Sequence, residues 1–312
     1  MSFIVTSQNP VPPGGESDWL VAPDGTRFRV ARFGSSTAKR GTVVLLSGRT
    51  EFIEKYFEVI DGLIKRDYAV ATLDWRGQGL SDRALANPHK GHVKDFDLFV
   101  SDLHQMIEEF VRPNCPAPYR VLCHSMGGNI LLRYLGEHPG AFQSAVFSAP
   151  MWGIGKFART PAWMRCVSHA THLLGLGDRF IPGGGDYAES DRAFEGNSLT
   201  HDAQRFERCV TQIDQEPRLA LGAPTLEWVR QAIKSMSVIH APGFAEAIRI
   251  PIVVCSAEAD ALVSVEAQTL VTERLPMGRQ IVVAEAKHEL MMELDVHRDV
   301  VFSAFDDLAN GS

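Results

Sequence analysis

Short runs of apolar residues alternate with longer mixed runs from about residue 40 to about residue 150, and again after residue 250. The apolar runs are nearly continuous, which is typical of parallel strands buried on both faces. The mixed runs have the length and composition of helices. We therefore predict an α/β fold with a mostly parallel central sheet and helices on both faces. The predicted strands are 42–46, 69–73, 119–123, 144–148, 250–255 and 279–283, and the predicted helices are 55–66, 95–111, one ending at 138, 264–275 and 295–308.

A different pattern precedes this region. The segments 18–22 and 26–33 flank the pair Asp24-Gly25, which favours a tight turn. Phe28 and Val30 occupy alternate positions of the second segment, as in a half-buried strand. The sequence therefore predicts an antiparallel hairpin ahead of the parallel sheet.

The alternation stops at Pro150 and resumes at Ile250. Because the α/β pattern returns afterwards, we predict an insertion rather than a second independent domain. The predicted organisation is a core formed by 1–150 and 248–312, with an inserted helical cap at 151–247, here called the cap segment. It has a glycine run at 183–185, and its aromatic residues include Trp152, Phe157, Trp163, Phe180, Phe194, Phe206 and Trp228.

Ser125 lies between a predicted strand, which ends at Cys123, and a helical run that begins at Ile130. In an α/β-hydrolase the nucleophilic serine lies on such a strand–turn–helix elbow, usually in the pattern G-x-S-x-G. Cys123 takes the place of the first glycine here, while Gly127 keeps the second. A serine that merely caps an ordinary helix is the alternative. The strand before the turn favours the elbow.

A nucleophilic serine needs a base, and the base needs an orienting carboxylate. In the α/β-hydrolase fold these follow the serine in the order acid, then histidine. Asp260 lies on the loop after strand 250–255, with Glu258 as the second candidate, and His288 lies on the loop after strand 279–283. The carboxyl ends of parallel strands share one sheet edge, which predicts that Ser125, Asp260 and His288 meet there. His124, His240 and His297 are expected to be structural or surface residues rather than catalytic ones.

An oxyanion hole requires two backbone N–H groups directed at the developing charge. We expect Met126, the residue after the serine, to provide one and Arg49, on the loop after strand 42–46, to provide the other. The glycine-containing stretch 74–81 lacks the Gly-Lys-Ser/Thr ending of a phosphate-binding loop. We interpret it as a structural turn.

Composition excludes several other classes of function. The chain has 312 residues, a net charge of −7 and five dispersed cysteines. No basic run stands out, so nucleic acid is not an expected partner. The cysteine spacing predicts reduced thiols rather than a disulfide framework or a zinc site, and we expect no metal or organic cofactor. The N-terminus lacks the pattern of a secretory signal and no apolar run is long enough to span a bilayer, which predicts a cytoplasmic protein.

The chain resembles bacterial lysophospholipases of the PldB type and the related monoglyceride lipases. The resemblance covers the core from about residue 40 onward and departs from the family at Cys123 and at Ser47, where many lipases have histidine. It implies a lidded serine hydrolase of the α/β-hydrolase superfamily with Ser125 as nucleophile, Asp260 as acid and His288 as base. The matching stretches are 47–51 with Lys55-Tyr56, 74–81, 124–128, His138-Pro139, 148–153, Asp260 with Leu262-Val263, and 287–290.

The expected function is hydrolysis of carboxylic esters of single-chain lipids, lysophospholipid or monoacylglycerol, through an acyl-enzyme on Ser125. The aromatic residues of the cap segment suggest an apolar acyl-binding cleft, although each of them could equally belong to the cap's own core. Transient contact of the cap with a membrane surface is a further expectation. The alternatives are a small-substrate carboxylesterase, thioesterase or peptidase of the same fold, and a ligand-binding protein of that fold without enzymatic activity.

Overall fold

A computed structural model describes residues 3–311 and contains an eight-stranded sheet in the order β1-β2-β4-β3-β5-β6-β7-β8. β1 and β2 form an antiparallel hairpin, β2 pairs antiparallel with β4, and all other neighbours are parallel. The predicted α/β class with a mostly parallel sheet is therefore confirmed. The strands are β1 Glu16–Val21, β2 Arg27–Phe33, β3 Thr42–Leu46, β4 Ala69–Leu73, β5 Tyr119–His124, β6 Ala145–Ser148, β7 Ile252–Ala257 and β8 Gly278–Val283.

The helices follow the predicted segments with shifted ends. The helix predicted at 55–66 begins with a 3-10 turn, Ile53–Tyr56, because the Asp74 carboxylate accepts the Ile53 N–H at 2.8 Å. The helix predicted at 95–111 includes a π-helical turn at Met106–Val111. The α-helices are α1 Phe57–Ile64, α2 Asp97–Gln105, α3 Arg112–Asn114, α4 Met126–Glu137, α5 Ala162–Leu173, α6 Ala203–Gln215, α7 Leu226–Ile239, α8 Val265–Thr272 and α9 Asp295–Asn310.

Apolar side chains cover both faces of the sheet. Successive residues of a strand point to opposite faces, so Val44 belongs to one buried cluster and its neighbour Leu45 belongs to the other. The first cluster includes Ile130 of α4 and the second includes Phe302 of α9. This two-sided burial explains why the strands read as continuous apolar runs.

The hairpin departs from simple alternation at Arg29, which lies between Phe28 and Val30 and is also buried. Its Nη2 lies 2.6 Å from Glu54 Oε2 and 2.7 Å from Asp74 Oδ2. A buried cation is tolerated where carboxylates pair with it. Sequence alternation could not reveal these partners because they come from other elements.

The cap segment lies between β6 and β7 and contributes α5, α6 and α7. It is joined to the core by polar contacts: Ser235 of α7 donates its hydroxyl to Asn129 Oδ1 of α4 at 2.6 Å. In a second contact, Arg205 of α6 reaches Glu58 of α1 at 2.6 Å. A cavity of about 580 Å³ remains between the cap segment and the loops at the carboxyl edge of the sheet.

Candidate active site

Ser125 occupies a strained turn between β5 and α4. Its φ of 49° and ψ of −114° lie in a region that residues other than glycine rarely adopt. The turn is held by backbone bonds, since the Ser125 N–H donates to Ser148 O at 3.0 Å. Gly127 lets α4 approach β3, because a Cβ there would lie 2.6 Å from Ser47 O. The local geometry therefore places the serine at the carboxyl edge of the sheet.

Cys123, at the first position of the elbow pattern, packs inside the core. It is buried, and its Sγ lies 3.6 Å from Val146 O on the neighbouring strand. Burial raises the pKa of this thiol well above its usual value. The side chain thus serves as a small apolar group, and the elbow forms without a glycine at this position.

Ser125, His288 and Asp260 form a continuous chain of hydrogen bonds. His288 Nε2 lies 3.0 Å from Ser125 Oγ, and His288 Nδ1 lies 2.6 Å from Asp260 Oδ2. The other Asp260 oxygen accepts the N–H groups of Leu262 at 2.8 Å and Val263 at 3.0 Å. Although burial opposes ionisation, these bonds and that to His288 lower the pKa of Asp260. A charged carboxylate can therefore hold the Nδ1–H tautomer, leaving Nε2 free to accept the serine proton.

Glu258, the second candidate for the acid, lies elsewhere. Its Oε2 accepts the backbone N–H of Glu285 at 2.9 Å, in an exposed position. Two of the remaining histidines contact backbone carbonyls of distant segments: His124 Nδ1 is 3.1 Å from Ser148 O, and His240 Nε2 is 2.7 Å from Trp152 O. Burial lowers the pKa of His124 to about 4, so this ring is neutral beside His288.

The loop at residues 47–51, here called the 47–51 loop, is fixed by side chains of the stretch 74–81. Trp75 Nε1 donates to Ser47 O at 2.9 Å, and Gln78 Nε2 donates to Gly48 O at 2.7 Å. With its carbonyl groups engaged on one side, the loop can turn N–H groups to the other. The turn at 74–81 thus positions this loop, a role that its sequence alone did not reveal.

Two N–H groups beside Ser125 are available for a ligand. Within residues 3–311, the backbone N–H groups of Arg49 and Met126 have no hydrogen-bond acceptor. Gly48 brings the 47–51 loop against the serine, since a Cβ on Gly48 would lie 3.2 Å from Ser125 Cβ. A pair of free N–H groups next to a nucleophile can stabilise an oxyanion.

A buried ionic cluster links the 47–51 loop to the histidine loop, and sequence reasoning missed it. Lys55 Nζ lies 2.9 Å from Glu51 Oε1 and 2.6 Å from Glu289 Oε1, while the Tyr56 hydroxyl donates to Glu51 Oε2 at 2.7 Å. Although burial opposes ionisation, Lys55 lowers the pKa of Glu51 to about 2. Glu51 also accepts the Gly48 N–H. The available signals were the spacing of Glu51 and Lys55 by one helical turn and the position of Glu289 after His288.

The cavity of about 580 Å³ begins at the 47–51 loop, with Arg49 and Glu289 in its wall. Its apolar wall comes largely from the cap segment, as expected for a ligand site. Among the seven aromatic residues named from the sequence, only Phe206 lines it; Trp152 and Trp228 are buried in the core, and Trp163 is exposed. The larger apolar cap residues of the wall include Leu199, Phe206, Val210, Ile213 and Leu221.

One group of side chains in residues 3–311 has the spacing of metal ligands. Atoms of His201, Glu293 and His297 lie within 4.8 Å of one another. The Glu293 carboxylate, however, already accepts the N–H groups of Lys287 and Leu294, each at 2.9 Å, and His201 Nδ1 at 2.7 Å. These hydrogen bonds give the cluster a structural role, because they fix the loop that carries His288.

The comparisons with known proteins agree with this fold. The family model described as serine aminopeptidase, S33, matches residues 37–295. Lysophospholipase L2 of Escherichia coli K12 is 32% identical over 296 residues, covering 92% of this chain and 85% of that protein. The probable lysophospholipase L2 of Haemophilus influenzae is 31% identical, covering 86% and 83%. A monoglyceride lipase structure from Saccharomyces cerevisiae superposes with a TM-score of 0.74 at 17% identity, covering 99% of this chain and 98% of that one.

Proposed function

The chain belongs to the serine aminopeptidase S33 family, and we propose that it is an ester hydrolase that cleaves single-chain lipids, lysophospholipid or monoacylglycerol, through an acyl-enzyme on Ser125. The observation that carries the proposal is the hydrogen-bonded series Ser125–His288–Asp260. The cavity under the cap begins at Arg49 and at Glu289, the residue after His288. The likeness to lysophospholipase L2 over most of both chains supports the lipid substrate.

In the first half of the reaction, Ser125 Oγ attacks the ester carbonyl carbon while His288 Nε2 accepts the hydroxyl proton. Asp260 stabilises the imidazolium that forms. The N–H groups of Arg49 and Met126 donate to the carbonyl oxygen as it becomes an oxyanion. His288 then returns the proton to the leaving alcohol, and the C–O bond breaks to leave the acyl group on Ser125.

In the second half, water replaces the alcohol beside His288. Nε2 removes a proton from the water, its oxygen attacks the acyl carbonyl, and the same two N–H groups hold the oxyanion. Collapse of this intermediate returns the proton to Ser125 and releases the fatty acid. Every proton passes through His288, so the reaction requires no other acid or base.

The volume and the apolar lining of the cavity suit one acyl chain. Its volume of about 580 Å³ is in the range of small-molecule sites, and the cap supplies its apolar wall. Each buried methylene contributes about 0.8 kcal/mol at most. We expect specificity to rise with acyl length until the cavity is filled, and then to level off.

The test of substrate class is kcat/KM for esters of increasing acyl length, followed by lysophospholipid, monoacylglycerol and diacyl phospholipid of one chain length. We expect a rise of up to about fourfold per methylene, followed by a plateau. The kcat/KM values for the single-chain lipids should exceed the value for the two-chain phospholipid. A maximum at acetyl esters, or a flat series, would instead indicate a small-substrate carboxylesterase and remove the lipid assignment.

We propose further that α5 brings the cap to a membrane surface. Trp163, Val167 and Leu174 recur at helical spacing along its outer side and are 62%, 54% and 72% exposed. An apolar stripe on a surface helix can enter the headgroup region of a bilayer. Within residues 3–311, no helix is long and apolar enough to cross one.

Co-sedimentation with phosphatidylethanolamine–phosphatidylglycerol vesicles tests this contact. The double variant Trp163→Ser/Leu174→Ser should lower the bound fraction several-fold, because each side chain loses roughly 1 kcal/mol or more of burial in lipid. The matched control, Val296→Ser/Met277→Ser, removes exposed apolar side chains from outside the cap segment. Equal binding by both double variants would exclude α5 as the contact.

A further inference from the structure

Arg49 carries a positive charge that no carboxylate in residues 3–311 neutralises. The other two cations of the cavity wall are paired: Lys55 with Glu51 and Glu289, and Arg205 with Glu58 among others. The Arg49 guanidinium is buried and has no nearby counter-charge in the described part of the chain. Burial therefore lowers its pKa to about 10. The group is still protonated at neutral pH. An unpaired, partly buried cation is costly to a protein and is typical of a site that receives an anion.

The Arg49 side chain is held in place rather than free in solvent. Its Nη2 donates to Gly222 O of the cap segment, and its guanidinium lies 5.5 Å from the centre of the Trp228 ring. Gly91 makes room for it, because a Cβ there would lie 2.4 Å from Nη2. Nε is buried and has no acceptor among the described residues. The surroundings therefore fix the guanidinium beside the cavity and leave part of its donor capacity unused.

We infer that the Arg49 guanidinium is a phosphate subsite that recognises the headgroup of a 1-acyl lysophospholipid. This inference rests on the proposed function and adds to it a reason for preferring phosphorylated glycerol esters. A guanidinium is suited to phosphate because its planar array of donors matches two phosphate oxygens. Monoacylglycerol has no anionic group to pair with the Arg49 guanidinium.

The spacing within Arg49 fits that assignment. Its backbone N–H is a proposed donor to the ester oxyanion, and its side chain runs from there to the cap. The same number of covalent bonds separates the backbone nitrogen from the guanidinium carbon as separates the ester carbonyl carbon from phosphorus in a 1-acyl glycerophospholipid. One residue can therefore hold the carbonyl at one end and the phosphate at the other.

The nearby carboxylates are already engaged. Glu289 Oε1 lies 2.6 Å from Lys55 Nζ, and Asp186 accepts the side-chain amide of Asn87 at 2.8 Å. Asp191 accepts the Ala188 N–H at 2.8 Å. Both aspartates are exposed, where water screens their repulsion of a phosphate.

The first measurement compares Arg49→Gln with the unchanged protein on 1-lauroyl glycerol 3-phosphate and 1-lauroyl glycerol. We expect the ratio of the two kcat/KM values to fall about 10- to 100-fold, because a charge-assisted hydrogen bond is lost for one substrate only. Arg49→Lys should recover part of the ratio. The control is Arg279→Gln, an exposed arginine of β8, which should leave the ratio unchanged. An equal fall in both values would overturn the inference and leave Arg49 as a link between loop and cap.

The second measurement does not depend on turnover. Ser125→Ala and Ser125→Ala/Arg49→Gln are titrated calorimetrically with 1-lauroyl glycerol 3-phosphate, 1-lauroyl glycerol and laurate. Weaker binding of the phosphate ester alone in the double variant supports the subsite, even if the intact protein hydrolyses no lysophospholipid and the proposed function fails. If the double variant loses laurate binding as much as phosphate-ester binding, the phosphate subsite is overturned. Arg49 would then bind the carboxylate of the released fatty acid instead. Phosphate-ester binding that is indifferent to Arg49 would exclude the subsite.

Discussion

Ser125→Ala is expected to lower kcat for ester hydrolysis by about 10⁴- to 10⁶-fold and to abolish labelling by a fluorophosphonate probe. The hydroxyl is the atom that would form the acyl-enzyme, and His288 Nε2 lies 3.0 Å from it. Alanine keeps the Cβ at a position where φ is 49°, so the backbone strain of the turn is unchanged. The loss can therefore be attributed to the hydroxyl. Single-turnover kinetics and probe labelling measure it.

Ser256→Ala is the matched control for this experiment. Ser256 is also buried at the end of a core strand, but its hydroxyl contacts Gln280 and lies outside the series Ser125–His288–Asp260. The control should keep both activity and labelling. Near-normal turnover by a folded Ser125→Ala protein, with circular dichroism like that of the unchanged protein, would exclude the serine-hydrolase mechanism. Lipid binding by the unchanged protein without any probe reaction would instead support a ligand-binding role.

Asp260→Asn is expected to lower kcat by about 10⁴-fold while leaving the fold in place. The N–H groups of Leu262 and Val263 both require an acceptor, so they hold the amide oxygen of the new side chain. Its NH₂ group then faces His288 Nδ1, which must accept a hydrogen bond. The ring proton moves to Nε2, where it faces Ser125 Oγ and prevents Nε2 from acting as a base.

Glu258→Gln separates the two candidate acids. The Glu258 side chain is exposed and accepts the Glu285 N–H, a bond that the glutamine oxygen can also accept, so the variant should retain nearly full kcat. The pair of variants is compared by kcat/KM on one ester and by thermal unfolding. A severe defect in Glu258→Gln with an active Asp260→Asn would reverse the assignment of the acid.

Local sequence predicted much of the architecture. Continuous apolar runs such as 42–46 and 69–73 coincide with β3 and β4, because burial on both faces leaves no exposed position within these two strands. The hairpin around Asp24-Gly25 was equally visible, since its turn depends on adjacent residues. Helix ends were harder to predict from the sequence. The turn that leads into α1 begins at Ile53, because the Asp74 carboxylate, which lies beyond β4, accepts the Ile53 N–H.

The candidate site shows the same division. Chain order and loop position predicted Ser125, Asp260 and His288 as one group, because parallel strands end at one edge of the sheet. Their order along the chain could not supply the distances of 3.0 Å and 2.6 Å that the structure has between them. Chain order also could not show whether Asp260 or Glu258 contacts His288, since both residues follow the same strand.

The sequence by itself determined the fold class, because periodicity along the chain sets which runs become strands and helices. The inserted segment and the residues proposed to carry the chemistry are predictions from the same periodicity and from neighbours along the chain. Only the tertiary structure revealed that Gln78 fixes the 47–51 loop, that Lys55 joins it to the histidine loop, and that Arg49 has no counter-charge among the described residues. These features depend on contacts between distant segments. In sequence the same residue types would read as ordinary solvated side chains, because charge and hydrogen-bond partners are set by what folding brings within a few ångströms.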